Sequence, residues 1–126
     1  MKPLTRLLAL LLTLCVASAW SAPAAAGRLA EVSGESNGSE IRDEAEFKLS
    51  DHSQVEIDFN IRENGKDCAV KVRVHRKQQN GQWLLVNTTL RTSKTTSGSR
   101  SVTLPAGDYK IEVISTSAKY NVAVDL

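Results

Sequence analysis

The sequence predicts an all-β chain, an antiparallel sandwich or barrel of about eight strands. Two observations predict it. Short segments alternate apolar and polar residues, with no helical period anywhere after the first 26 residues. Turn-forming residues punctuate those segments at intervals of roughly ten residues.

In order, "AEFKL" offers Phe47 and Leu49 as inward residues. "VEIDFNIR" alternates without a break: Val55, Ile57, Phe59 and Ile61 on one side, Glu56, Asp58, Asn60 and Arg62 on the other. "CAVKVRVHR" turns Cys68, Val70, Val72 and Val74 inward, "DYKIEV" turns Tyr109, Ile111 and Val113, and "YNVAVDL" turns Tyr120, Val122, Val124 and Leu126. A period of two buries one face of a strand and leaves the other in water. "ENGKD", "QQNGQ", "TTSGS" and "PAGD" supply the turns between them.

One hairpin can be registered from the sequence. A two-residue Asn80-Gly81 turn would set Val74 opposite Asn87; a three-residue loop of Gln79, Asn80 and Gly81 sets Val74 opposite Val86 and Val70 opposite Leu90. The second register matches apolar with apolar and puts Gly81 at the left-handed bulge position. It places Trp83 and Leu85 outward, on the face of Lys71, Arg73, His75 and Lys77.

The first residues have the layout of a secretory signal: Lys2 and Arg6, an apolar run without charge, then "SAPAAAG". Cleavage is expected after Ala26, with Ala19 as the other candidate site. Leu14 before Cys15 argues against a lipid anchor there. The expected organisation is a signal peptide over 1–26, a flexible arm over 27–40 and a sandwich over 41–126, periplasmic or secreted, with no membrane insertion after cleavage.

Loss of Lys2 and Arg6 leaves 14 basic against 14 acidic residues, which excludes the net basic footprint of a nucleic-acid binder. The charge is uneven: 27–67 holds 11 acids and 5 bases, 68–126 holds 3 acids and 9 bases, as expected if the two halves pair across one fold. Past the signal only Cys68 remains, so no internal disulfide can form.

"SVTLPAGDYKIEV" followed by "YNVAVDL" resembles the closing strands of bacterial pre-peptidase C-terminal domains, through Leu104 to Gly107, Tyr109 and Tyr120. The resemblance covers the last quarter of the chain. It implies a jelly-roll β-sandwich in an exported bacterial setting and implies no reaction. No acidic Asp-x-Asp-Leu segment precedes a middle strand, so calcium binding is not carried over.

Other candidate chemistry reads as structural. Gly34 to Gly38 fits the G-x-S-x-G pattern around Ser36, but a nucleophile elbow needs a strand-to-helix turn, and no helix follows. His52 and His75 read as solvated, without the further ligands a metal site needs. Glu56 and Asp58 read as a wet strand face, and Cys68 as a buried small hydrophobe. Asn37 and Asn87 match the glycosylation acceptor by coincidence of sequence.

The outward Trp83 among Arg73, His75 and Lys77 is the chemistry-bearing feature, since aromatic faces stack and cations attract anions. The loop "RTSKTTSGSR", with Arg91, Lys94 and Arg100, would extend that surface. The expected function is non-catalytic binding of a cell-envelope or extracellular glycan, without cofactor or metal. The alternative is an inhibitor or accessory subunit acting through contacts with another exported protein.

Overall fold

A computed structural model describes residues 27–126. The signal segment, both cleavage positions and Cys15 lie outside the described residues. The described chain forms eight strands: β1 (Arg28–Glu35), β2 (Ile41–Leu49), β3 (Ser53–Glu63), β4 (Ala69–Lys77), β5 (Trp83–Thr92), β6 (Thr96–Leu104), β7 (Gly107–Thr116) and β8 (Ala118–Asp125). They form two antiparallel sheets, ordered β1-β8-β3-β6 and β2-β7-β4-β5. Each strand of the first half thus pairs with its mirror counterpart in the second, as in a ribbon folded at the β4–β5 hairpin and rolled up. That order is a jelly roll.

The alternating segments bury the faces expected of them. Val55, Ile57 and Ile61 of β3, Val72 and Val74 of β4, Tyr109, Ile111 and Val113 of β7, and Val122 and Val124 of β8 are all fully buried between the sheets. Cys68 joins this core as a free, buried thiol. Burial pushes that thiol above the ordinary cysteine range, with Glu63 adding to the effect. Leu126 departs from the pattern. It is 67% exposed, past the end of β8, where its N–H donates to the Gly27 carbonyl.

The segment expected as a flexible arm is mostly strand. β1 pairs with β8 from Arg28↔Asp125 to Glu35↔Lys119, with one irregularity near Leu29. The sequence signal is faint because the residues on its inner side are small: Ala30, Val32 and Ser36 are buried, and Gly34 lies against Tyr120. They are small for a reason. Tyr120 crosses between the sheets over Gly34 to bond Asp43 Oδ2 of β2 at 3.2 Å, and a Cβ on Gly34 would collide with the Tyr120 phenol.

Ser36 is fully buried at the end of this strand. Its Oγ accepts from the Ala118 N–H at 3.0 Å and from Ser115 Oγ at 3.0 Å. It is a plug under the β7–β8 turn, closed to any substrate.

"TTSGS" is also not the turn expected of it. The β5–β6 turn lies at Ser93–Thr95, and Gly98 sits within β6 opposite Phe59. "PAGD" does turn. Tyr109 Oη donates to the Pro105 carbonyl at 2.6 Å, Arg76 Nη2 donates to the Ala106 carbonyl at 2.9 Å, and Phe47 stacks on the Tyr109 ring at 5.4 Å.

Candidate binding face on the second sheet

The hairpin tip follows the expected loop. Gln78 and Gln82 close a three-residue loop, and Gly81 has φ of 85°, in the left-handed region that favours glycine. His75 therefore faces Leu85, and Lys77 faces Trp83. Beyond that point the expected register fails. Bulges at Val86 and Thr89 put Val74 opposite Asn87, Val72 opposite Leu90 and Val70 opposite Thr92. β5 is the outer strand of its sheet, where bulges are common because only one side of the strand is held. Val86 is consequently 39% exposed instead of buried against Val74, while Leu90 remains in the core.

The outer face still carries the residues expected on it. Trp83 is half-buried and points outward. The Lys77 ammonium lies 6.0 Å from its ring centroid and the Lys110 ammonium 4.8 Å. Lys110 reaches this position because β7 pairs with β4, which sets it directly beside His75. Its Nζ also meets Glu44 Oε2 of β2 at 3.0 Å, so one lysine joins the far strand to the tryptophan.

Next to this pair lies a buried carboxylate. Glu112 is 3% exposed although it points away from the core. One oxygen lies 3.1 Å from His75 Nε2, and the other accepts from Arg42 Nη1 at 3.3 Å. Arg73 stands opposite Glu112 in the β4–β7 ladder, and its Nε is buried without a hydrogen-bond partner. His75 is thus not the solvated ring the sequence predicts; its side chain is 14% exposed and engaged by Glu112. His52 is exposed, as expected.

Arg73, His75, Lys77 and Trp83 are therefore brought together, at one end of the sheet. Arg91 shares the face but sits at its far end opposite Lys71, beside a groove lined by Glu40, Ile114 and Thr116. Lys94 is not part of the site. It occupies the β5–β6 turn, its carbonyl held by the Thr92 and Thr96 hydroxyls, about 30 Å of extended strand from Trp83. Arg100 is on β6, in the other sheet. The sequence missed Lys110, Glu112, Arg42 and Glu44. The alternation of "DYKIEV" already turned Lys110 and Glu112 outward, but nothing local announced that β7 would lie between β2 and β4.

Opposite charges pair between the halves of the chain, as expected, but in both directions. Lys110–Glu44 follows the expected direction, whereas Arg42–Glu112 and Arg28–Asp125 run the other way. On the outer face of the first sheet, acids crowd instead. Hydrogen bonding to Asp125, then partial burial, then hydrogen bonding and repulsion from Glu56 push the Asp58 carboxyl up to about 6.

No protein-family model matches the chain, and no curated protein sequence does. Among solved structures, the chain is similar to the pre-peptidase C-terminal domain of a collagenase from Bacillus anthracis (TM-score 0.52, 12% identity, 77% of this chain and 89% of that one). It is also similar to a protein from Sulfurospirillum deleyianum (TM-score 0.48, 10% identity, 77% and 96%). A third is a family 35 carbohydrate-binding module from an environmental isolate (TM-score 0.48, 10% identity, 79% and 87%). Only the first reaches the level of a shared fold. It extends the resemblance seen in the closing strands to most of the domain, and at this identity it speaks to fold alone.

Proposed function

We propose that this chain is an exported, non-catalytic binding module that recognises an acidic glycan of the cell envelope or extracellular space on the outer face of its second sheet. The observation that carries the reading is the outward Trp83 ring with two ammonium groups near it, at 6.0 and 4.8 Å. An indole presents a flat apolar surface to the C–H face of a sugar ring. Lys77, the more exposed of the two lysines, offers a cation to a carboxylate or sulfate on the same sugar. His75 and Arg42 are engaged by Glu112 and form the floor of the face. The serine of the G-x-S-x-G match, buried at Ser36, supports a non-catalytic reading.

The Gly27–Leu126 chain contains every described strand and Trp83 as its sole tryptophan, so intrinsic fluorescence reports on the site. Titration with alginate should shift or quench that emission, and titration with neutral dextran should not. Trp83→Ala should abolish binding measured by calorimetry, and Lys77→Ala should weaken it. No response to any acidic polysaccharide in a panel would overturn the reading.

A further inference from the structure

We propose that the β4–β5 hairpin docks the domain, edge-on, to an anionic lipid surface. This goes beyond the glycan reading: it shares Trp83 and Lys77 with that site but depends on Leu84 and Val86, which the glycan does not need.

The first observation is a run of exposed apolar residues on an edge strand. Leu84, Leu85 and Val86 are 50%, 45% and 39% exposed, and they follow directly on the half-buried Trp83. Leu85 stands on the outer face opposite His75, and Leu84 on the other side of the ribbon opposite Arg76. The bulge at Val86 turns a third apolar group to solvent. Apolar groups thus project from both faces of one edge, a shape that a sugar stacked on one face leaves uncovered.

The second observation is charge. From Cys68 to Gly107 the chain carries 7 Lys and Arg residues and no Asp or Glu. Both strands of the hairpin are acid-free, with Lys71, Arg73, Arg76 and Lys77 on β4 and Arg91 on β5.

Together these favour one occupant. A second copy added edge to edge would set two basic ribbons side by side, and the two bulges in β5 interrupt the ladder it would need. An acidic polysaccharide would answer the cations and leave the leucines in water. An anionic bilayer answers both: its headgroups meet the basic ribbon, its acyl boundary takes Leu84, Leu85 and Val86, and Trp83 lies at the interfacial depth that tryptophan prefers.

The test is co-sedimentation of the Gly27–Leu126 chain, which holds all eight strands and the whole core, with phosphatidylglycerol/phosphatidylcholine vesicles and with phosphatidylcholine alone. Partition to the anionic vesicles should be about tenfold stronger or more, and should fall with added salt. The double variant Leu84→Ser/Val86→Ser should lose about tenfold of that partition while keeping its melting temperature and its fluorescence response to alginate. Lys77→Glu/Arg91→Glu should bring anionic and neutral vesicles to the same level. Equal partition of the parent chain to both vesicle types, or unchanged partition of the Leu84→Ser/Val86→Ser variant, overturns the proposal. So does absence of lipid binding together with a dimer that the Leu84→Ser/Val86→Ser variant dissolves, which would assign the edge to a second copy. Failure of alginate binding with lipid binding retained would count against the glycan reading alone.

Discussion

The Tyr109 hydroxyl donates to the Pro105 carbonyl at 2.6 Å, four residues back along the chain. That single bond explains why "LPAGDY" works as a unit. Pro105 starts the turn, and the tyrosine that restarts the buried face also ties the turn down. Tyr109→Phe keeps the ring stacked on Phe47 and deletes the donor. A hydrogen bond of this kind contributes about 1 kcal/mol. The variant should melt roughly 4–8 °C lower, as expected for a domain of this size losing that much stability. An unchanged melting temperature would show that water replaces the phenol at no cost.

Gly34 and Tyr120 form a second coupled pair, because a Cβ on Gly34 would enter the space of the phenol that reaches Asp43. Gly34→Ala should therefore cost about 1–3 kcal/mol, the range for overpacking. In a Tyr120→Ala background the same change should cost little or nothing, a non-additivity that denaturant melts of the four species will show. Additive losses would place the strain elsewhere in β1.

Asp58 makes a prediction about pH. Its folded-state value of about 6 lies above the ordinary carboxylate value near 4 that it regains on unfolding. Between those values the folded chain holds a proton that the unfolded chain has lost. Stability from this group is therefore full at low pH and lost as pH rises through about 6. Asp58→Asn removes the charge that Asp125 and Glu56 oppose. Melting temperatures of the two proteins, scanned from pH 4 to pH 8, should diverge as pH rises, with the variant the more stable above about pH 6. Parallel curves would show that Asp125, Glu56 and burial do not hold a proton on Asp58 in solution.

The strands legible in the sequence are those whose two faces differ most in polarity. Val55 to Ile61 and Val70 to Val74 declare a buried side because every alternate residue is large and apolar. β1 was hidden because Gly34 and Ser36 are small, made so by Tyr120 and by the turn they plug. β6 resembles a turn in sequence because Gly98 lies within the strand, opposite Phe59. The candidate face was half legible. The loop closing at Gln78 and Gln82 fixes the tip locally, so Trp83 could be placed outward beside Lys77. Lys110 and Glu112 join it only through the pairing of β7 with β4, a contact between segments more than thirty residues apart that no local pattern encodes.

The register of β5 supplies the last prediction. Matching apolar with apolar would bury Val86 against Val74, whereas the bulges leave Val86 in solvent and seat Leu90 opposite Val72. A core leucine cut to alanine loses about 2–5 kcal/mol, while an exposed site changes by about 0.5 kcal/mol or less. Leu90→Ala should thus destabilise strongly and Val86→Ala hardly at all. Trp83→Ala should fall between them, because the ring is half-buried but lies outside the core. Urea melts of the three variants decide the matter. A loss at Val86 comparable to that at Leu90 would mean that the strand lies in the unbulged register in solution. The exposed Leu85 and Trp83 would then keep their face, but the apolar edge formed with Val86 would be gone.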